Sequence, residues 1–147
     1  MSLRWSPNAT QLMHSVSAIG LSSLLLASAM KHFRSPSFYN PVVPEYLCRN
    51  DEPGSAPNGP LAVMSREEWI ASSGLLEVSA AVGLLVPATR KVAAEATTAM
   101  FAAFLAGHID ALRRAYGPRG TQKERRIHTL RLPLQVPLIL WSWSLRK

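Results

Sequence analysis

The sequence predicts an all-α protein of one domain, residues 1–147, folded as an integral membrane four-helix bundle. Four apolar segments alternate with polar loops, and only 17% of the residues are charged, against about 25% in soluble proteins. Basic residues stand at the ends of the apolar segments, where lipid headgroups would lie. We expect a long proline-rich loop after helix 1 and a basic loop between helices 3 and 4. The expected helices cover approximately residues 10–32, 67–87, 91–114 and 130–145.

The first helix is predicted from the apolar segment Leu12–Met30, which Lys31, His32 and Arg34 follow. A cleaved secretory signal peptide is the alternative interpretation, because Ala27-Ser28-Ala29 resembles a cleavage site. We expect the segment to be retained as a membrane helix.

The second helix follows a loop, Lys31–Glu68, that contains six prolines and the turn-forming stretch Asn50–Pro60. We expect the helix to begin near Ser65-Arg-Glu-Glu68, which has the capping-box pattern. It continues as the apolar run Ile70–Val86 and ends at a tight turn, Pro87–Lys91. The run has no polar stripe, and this argues against the alternative of a soluble helical bundle.

Glu77 is the one charged residue within Ile70–Val86. A charge near the middle of a membrane helix costs several kcal/mol unless it is paired, protonated or facing a polar cavity. Glu77 therefore predicts where the polar interior of the bundle lies. The alternative is that Glu77 only bonds to a neighbouring helix and fixes the helix register.

The third and fourth helices differ in length and composition. In the third, Val92–Leu112, small residues recur every four positions and predict a smooth ridge for close helix packing. An alanine-rich soluble helix would show the same spacing. The fourth, Leu132–Leu145, spans only about 21 Å at 1.5 Å per residue. To cross a core of about 30 Å it needs Leu130 and Arg131 as a snorkelling end, or local thinning of the bilayer. Before it comes the basic stretch Arg113–Arg131. The small residues of the ridge are Ala94, Thr98, Ala102 and Ala106.

The net charge of +7 indicates an anionic partner. Because the basic residues flank apolar segments, we expect this partner to be the lipid bilayer and not nucleic acid. Four spans would place five Lys and Arg residues, Arg4 among them, on one side and eleven on the other. The positive-inside rule puts the eleven in the cytoplasm, and we expect the plasma membrane of a prokaryote. Cys48 is the only cysteine and no metal-ligand spacing appears, so we expect no metal site.

Four antiparallel helices would gather polar side chains from distant segments at one end of the bundle, with Glu77 about two turns inside. Such a group can bind a polar headgroup or a quinone ring, or relay protons. The alternatives are that the histidines are interfacial residues, and that Arg131 snorkels to headgroups or pairs with Asp110. The candidate pocket residues are Glu77, His32, His108, Asp110, Arg131 and Gln135.

Residues Ser73–Arg90 resemble the second helix of DoxX-like membrane proteins, in which a Gly and a Glu precede a Gly-Leu-Leu and a Pro-x-x-Arg turn. Lys31-His-Phe33 resembles the family's loop after helix 1, and Arg131-Leu-Pro-Leu-Gln135 with Trp141 resembles its last helix. The stretch Asp51–Pro60 and the basic third loop depart from the family pattern. The resemblance implies a four-helix integral membrane protein. The pocket positions that it carries over are Glu77, His32, Arg131 and Gln135.

The founding DoxX-like proteins are associated with quinone-linked sulfur oxidation and quinol oxidase complexes. The first hypothesis is therefore a metal-free subunit of a redox or quinone-linked membrane complex, with quinone or lipid as its ligand and without catalytic activity of its own. The alternative is a non-catalytic accessory or assembly protein whose partner is another membrane complex or a second copy of the chain. A third hypothesis is a small transporter or proton pathway that uses Glu77.

Overall fold

The structure, a computed structural model, describes residues 7–147. Arg4, which belongs to the charge count above, lies outside these residues. The prediction of an all-α protein is confirmed, because the described residues form helices and one isolated bridge between Cys48 and Met64, but no strand. The α-helices are α1 (Pro7–Arg34), α2 (Arg66–Leu85), α3 (Arg90–Ala115) and α4 (Gln122–Ser144), and the 3-10 helices are η1 (Pro36–Val42) and η2 (Glu45–Leu47).

Hydrogen bonds between side chains and nearby backbone groups stabilise both ends of α2. The Ser65 hydroxyl accepts a hydrogen bond from the backbone N–H of Glu68 at 3.2 Å, and the Glu68 carboxylate accepts one from the backbone N–H of Ser65 at 2.7 Å. This is the capping box that the sequence predicts. At the other end, the Thr89 hydroxyl donates to the Gly83 carbonyl at 2.9 Å. That carbonyl would otherwise have no donor at the helix end, so the turn into α3 is stabilised.

The basic stretch before helix 4 is mostly helical in the structure. α4 begins at Gln122, eight residues before the predicted start, because Thr121 and Glu124 form a second capping box. The stretch 113–131 has no apolar periodicity, and so its sequence suggests a loop. Only residues 116–121 connect α3 to α4, and the basic residues beyond them lie on the first turns of a helix.

The two halves of the bundle are packed differently. α1 packs against α2, α2 against α3, and α3 against α4, while α4 reaches α1 through Trp141, whose indole N–H donates to the Ser17 hydroxyl at 2.8 Å. Apolar side chains fill the half around Trp141, and the half nearer η1 contains a partly open cavity. The core consists of Ala18, Leu21, Leu25, Ala81, Leu84, Ala93, Ala94, Phe101 and Leu145.

Three helices in the described part of the chain are long and apolar enough to cross a membrane: Asn8–Arg34, Arg66–Leu85 and Arg90–Ala115. Only 28% of the residues in the apolar window of each helix are buried, so many of its apolar side chains are at least partly exposed. α4 is not among these helices, and its first two turns carry Lys123, Glu124, Arg125 and Arg126.

Candidate functional site

A partly open cavity of about 880 Å³ lies between the four α-helices and is bordered by η1 and η2. Its wall extends from Trp69 to Ala80 along α2 and from Ala96 to His108 along α3, which is about 16 to 18 Å of helix at 1.5 Å per residue. The wall is apolar around Ala80 and Ala96. It becomes polar towards η1, where His32, Tyr39, His108 and Arg131 line it.

Glu77 and His32 form a buried pair in the wall between α2 and α1. Each is only 4% exposed. Ser28, one turn before His32 on α1, donates its hydroxyl to Oε1 of Glu77 at 3.1 Å. The imidazole Nδ1 of His32 lies 2.8 Å from the backbone carbonyl oxygen of Ile70 and 3.1 Å from the hydroxyl of Ser73. These contacts hold the histidine ring and the carboxylate in fixed orientations.

The contact with Ile70 determines the tautomer of His32. A carbonyl oxygen only accepts, so Nδ1 carries the proton, and Nε2 of the neutral imidazole is then an acceptor. This Nε2 lies 3.7 Å from Oε2 of Glu77, and within residues 7–147 neither atom has a hydrogen-bond partner. At 3.7 Å the two acceptors are too far apart to share a hydrogen bond, so each remains available to a hydrogen-bond donor.

Tyr39 covers this pair from η1. Its ring stacks on the His32 imidazole with centroids 3.6 Å apart, and its hydroxyl donates to the backbone carbonyl of Ser28 at 3.1 Å. Burial raises the pKa of the Tyr39 hydroxyl above its ordinary value, and the hydrogen bond with Ser28 opposes this shift in part. The hydroxyl therefore stays protonated at neutral pH and remains a donor.

His108 and Gln135 form a second polar pair in the same wall, between α3 and α4. Nδ1 of His108 donates to the backbone carbonyl of Phe104 at 2.9 Å, so its Nε2 is an acceptor. The Gln135 amide nitrogen donates to that Nε2 at 3.3 Å. Oε1 of Gln135 has no hydrogen-bond partner in the described chain.

Two cations meet one aromatic ring where the wall reaches η1. The Lys31 ammonium lies 3.5 Å from the centroid of the Phe38 ring, and the Arg131 guanidinium carbon lies 4.6 Å from it. All three side chains line the cavity. Among residues 7–147, neither cation has a carboxylate within salt-bridge distance.

Asp110 is the one predicted pocket residue that does not line the cavity. It pairs with Arg114 at 3.0 Å, one turn further along α3, and it does not pair with Arg131. The reason is helical geometry: residues two apart lie on nearly opposite faces, and His108 already occupies the inward face. The other five predicted residues, Glu77, His32, His108, Arg131 and Gln135, all lie in the cavity wall.

η1 is held over the cavity by contacts from α2 and α3. The Arg66 guanidinium donates to the carbonyls of Asn40 and Val43 at 2.6 and 2.7 Å. Arg114 donates to another η1 carbonyl, that of Pro41, at 2.6 Å. Gly107 lets η1 approach closely, because a Cβ at this position would collide with the Val42 carbonyl oxygen. η1 therefore forms part of the cavity wall.

Ser28, Tyr39, Ser73 and Phe38 are site residues that the sequence did not place among the candidates. The available signal was weak: two aromatic residues in the loop immediately after α1, and two serines, one on each helix, one turn before His32 and Glu77. Serine is common on membrane helices, so its spacing alone does not select these positions.

No group of three or more His, Cys, Asp or Glu side chains in the described residues could hold a metal ion. No curated protein and no solved structure matches the chain. Residues 21–146 match a family described as a domain of unknown function, DUF8561, and the chain belongs to this family.

Proposed function

We propose that this chain is an integral membrane protein that binds an amphipathic molecule, a quinone or a lipid, in the cavity between its helices. The observation that carries the proposal is the polarity of the cavity wall. It is apolar around Ala80 and Ala96 and polar around His32, His108 and Arg131. An amphiphile would place its tail at the apolar end of the wall and its head at the polar end.

The outer surface of the bundle supports a membrane location. α4, which is less apolar as a whole than the other helices, still exposes Val136, Leu140 and Trp143 in its second half. We include it as the fourth membrane helix, with Arg131 near the interface. The end that carries η1 has the larger number of basic residues and faces the cytoplasm of a prokaryote in this proposal.

Association with a redox or quinone-linked complex is the second part of the proposal. It is supported by the resemblance of residues 73–90 to DoxX-like proteins and by the unpartnered acceptor atoms of Glu77 and His32 in the cavity wall, which are complementary to the hydroxyl donors of a quinol. The chain would act there as a subunit without a metal or catalytic activity of its own.

Two adjacent alanines on α3 provide a matched test. Ala103 lines the cavity, whereas its neighbour Ala102 is exposed on the outside. Purified protein in dodecyl maltoside would be titrated with a short-chain ubiquinone and with oleate. Wild type and Ala102→Phe should bind at least one probe saturably, and Ala103→Phe should weaken this binding by about tenfold or more, because the ring occupies the cavity. Non-saturable partitioning into all three proteins would refute ligand binding.

An accessory or assembly role is the alternative that one observation favours. On the small-residue ridge of α3, Ala94 is buried and Thr98 bonds to Ser142 of α4 at 2.8 Å, but Ala102 is exposed. A partner helix could pack closely at Ala102. Affinity purification in mild detergent should then recover a stoichiometric membrane partner with wild type and lose it with Ala102→Phe. A monomer without a partner in both cases would contradict this role.

A further inference from the structure

We infer that the ligand of this cavity is an acyl lipid with an oxyanion headgroup, held by Lys31 and Arg131 on the two sides of the cavity mouth. This inference deepens the proposed function and rests on it. It selects one class of amphiphile, a carboxylate or phosphate lipid, over a neutral quinone.

The first argument is the unbalanced charge at the mouth. Both cations contact the Phe38 ring, so they can be no further apart than the sum of their distances to its centroid, about 8 Å. Within the described residues, neither has a carboxylate partner. The ring attracts both cations but leaves their mutual repulsion uncompensated. An oxyanion beside Phe38 would pair with both.

The nearby carboxylate does not supply that compensation. Glu77 also lines the cavity, but its Oε1 accepts from Ser28 at 3.1 Å and its Oε2 faces His32. Asp110 is on the outside of the bundle with Arg114. The positive charge at the mouth is therefore available to a ligand.

The second argument is the spacing along the two helices. On α4, Arg131, Leu134 and Leu138 all line the cavity, and on α1 so do Lys31, Ala27 and Leu24. Residues spaced by three, four and seven share one helix face. Each of these two helix faces therefore has a cation at its η1 end and apolar side chains along the next turns, over about 10 Å of helix. This order, repeated on both walls, matches an anionic head followed by an alkyl chain.

The inference differs from ordinary snorkelling, in which basic residues contact bulk headgroups. Snorkelling requires no cavity and gives no saturable site. An oxyanion site at the mouth requires one lipid per chain, competition between lipids, and dependence on both Lys31 and Arg131.

The test uses full-length protein in dodecyl maltoside with three probes: oleate, dioleoylphosphatidate and oleyl alcohol. Oleyl alcohol has the same chain as oleate but no charge. We expect at least one of the two anionic probes to bind saturably and at least tenfold more tightly than the alcohol. Tighter binding of oleate would identify a free fatty acid, and tighter binding of dioleoylphosphatidate a membrane phospholipid; both results support the oxyanion site.

Charge-matched variants locate the site. Lys31→Gln and Arg131→Gln should each weaken binding of the anionic probe about tenfold, the loss expected for one charge-assisted contact. Arg131→Lys should restore part of it. Arg34→Gln and Arg126→Gln remove the same charge from exposed positions outside the cavity wall and should change affinity less than twofold. Circular dichroism checks that each variant is folded.

Two results would overturn the inference while leaving the proposed cavity intact. One is that wild type binds oleate, oleyl alcohol and short-chain ubiquinone with equal affinity and that Ala103→Phe blocks the binding of all three. The other is an equal loss of affinity in Arg34→Gln and Arg131→Gln. Failure of all probes to bind wild type would instead remove the proposed function itself.

Discussion

Oε2 of Glu77 and Nε2 of His32 face each other at 3.7 Å, and neither has another polar partner among residues 7–147. The pair connects α1 to α2. One turn away on each helix, Ser28 bonds to Glu77 and Ser73 bonds to His32. Four side chains thus form a connected polar cluster across the α1–α2 interface, which accommodates the carboxyl group of Glu77 within an apolar helix.

Replacing Glu77 by Gln should change stability little. The amide oxygen can accept from Ser28, and the amide nitrogen that replaces Oε2 places a donor, instead of an acceptor, opposite Nε2 of His32. We expect the free energy of unfolding to stay within about 1 kcal/mol of wild type. The measurement is thermal unfolding in dodecyl maltoside followed by near-ultraviolet circular dichroism.

His32→Ala should be much more destabilising than Glu77→Gln. It removes the stack with Tyr39 and the hydrogen bond to Ile70, and it leaves the Glu77 carboxylate with Ser28 alone. Truncating a buried side chain of this size to Ala, with the loss of its hydrogen bond, costs about 2 to 5 kcal/mol. The same thermal assay applies, and equal stability of the two variants would show that the pair contributes nothing to the α1–α2 interface.

Gly74→Ala should also destabilise the α1–α2 interface, in this case by overpacking it. A Cβ at Gly74 would lie 2.9 Å from Cβ of His32, closer than ordinary carbon contacts, so α1 must shift. Overpacking of this kind costs about 1 to 3 kcal/mol. Ala71→Leu, on the exposed side of the same helix, is the control and should be neutral. A neutral Gly74→Ala would mean that the helices separate without strain.

The sequence predicted most of the helices because their signals are local. Apolar runs and the capping box at Ser65 act over a few residues and need no tertiary contact. The start of α4 was missed although Thr121 and Glu124 form the same motif. There the motif precedes a charged stretch, and apolar periodicity, the stronger signal, begins only later.

The site was predictable where it follows from connectivity. Antiparallel helices must bring the end of α1 near the start of α2, so His32 and Glu77 could be placed together. Tyr39 could not, because its position depends on η1 folding back over the cavity. This position of η1 depends on hydrogen bonds from Arg66 and Arg114 to backbone carbonyls. Any arginine can make such bonds, so the sequence spacing does not predict them.

Gly107→Ala should loosen η1. Its Cβ would occupy the position of the Val42 carbonyl oxygen, so η1 must move away from α3. We expect a loss of about 1 to 3 kcal/mol and faster hydrogen exchange in residues 36–43. Gly59→Ala is the control, because a Cβ there meets no atom within 4 Å. Unchanged exchange in Gly107→Ala would contradict the close approach of η1 to α3.

The capping box of α4 should make stability depend on pH through Glu124. Its carboxylate accepts from the Thr121 backbone N–H at 2.8 Å and from the Thr121 hydroxyl at 2.9 Å. The backbone hydrogen bond first, and the hydroxyl second, hold the pKa of Glu124 below its ordinary value of 4.5. The unfolded chain therefore binds the proton more tightly. The stabilisation is complete above pH 4.5 and is lost as the pH falls through the lower pKa of the folded state.

Comparison of wild type with Glu124→Gln isolates this effect, because Gln keeps the capping geometry without titrating. Thermal unfolding would be measured in dodecyl maltoside between pH 7 and pH 3. Any advantage of wild type at pH 7 should shrink towards pH 3, since all other carboxylates titrate alike in both proteins. In a Thr121→Ala background the shrinkage should be smaller, because one of the two donors is gone. A difference between wild type and Glu124→Gln that is constant across this pH range would show that the Glu124 carboxylate does not cap α4.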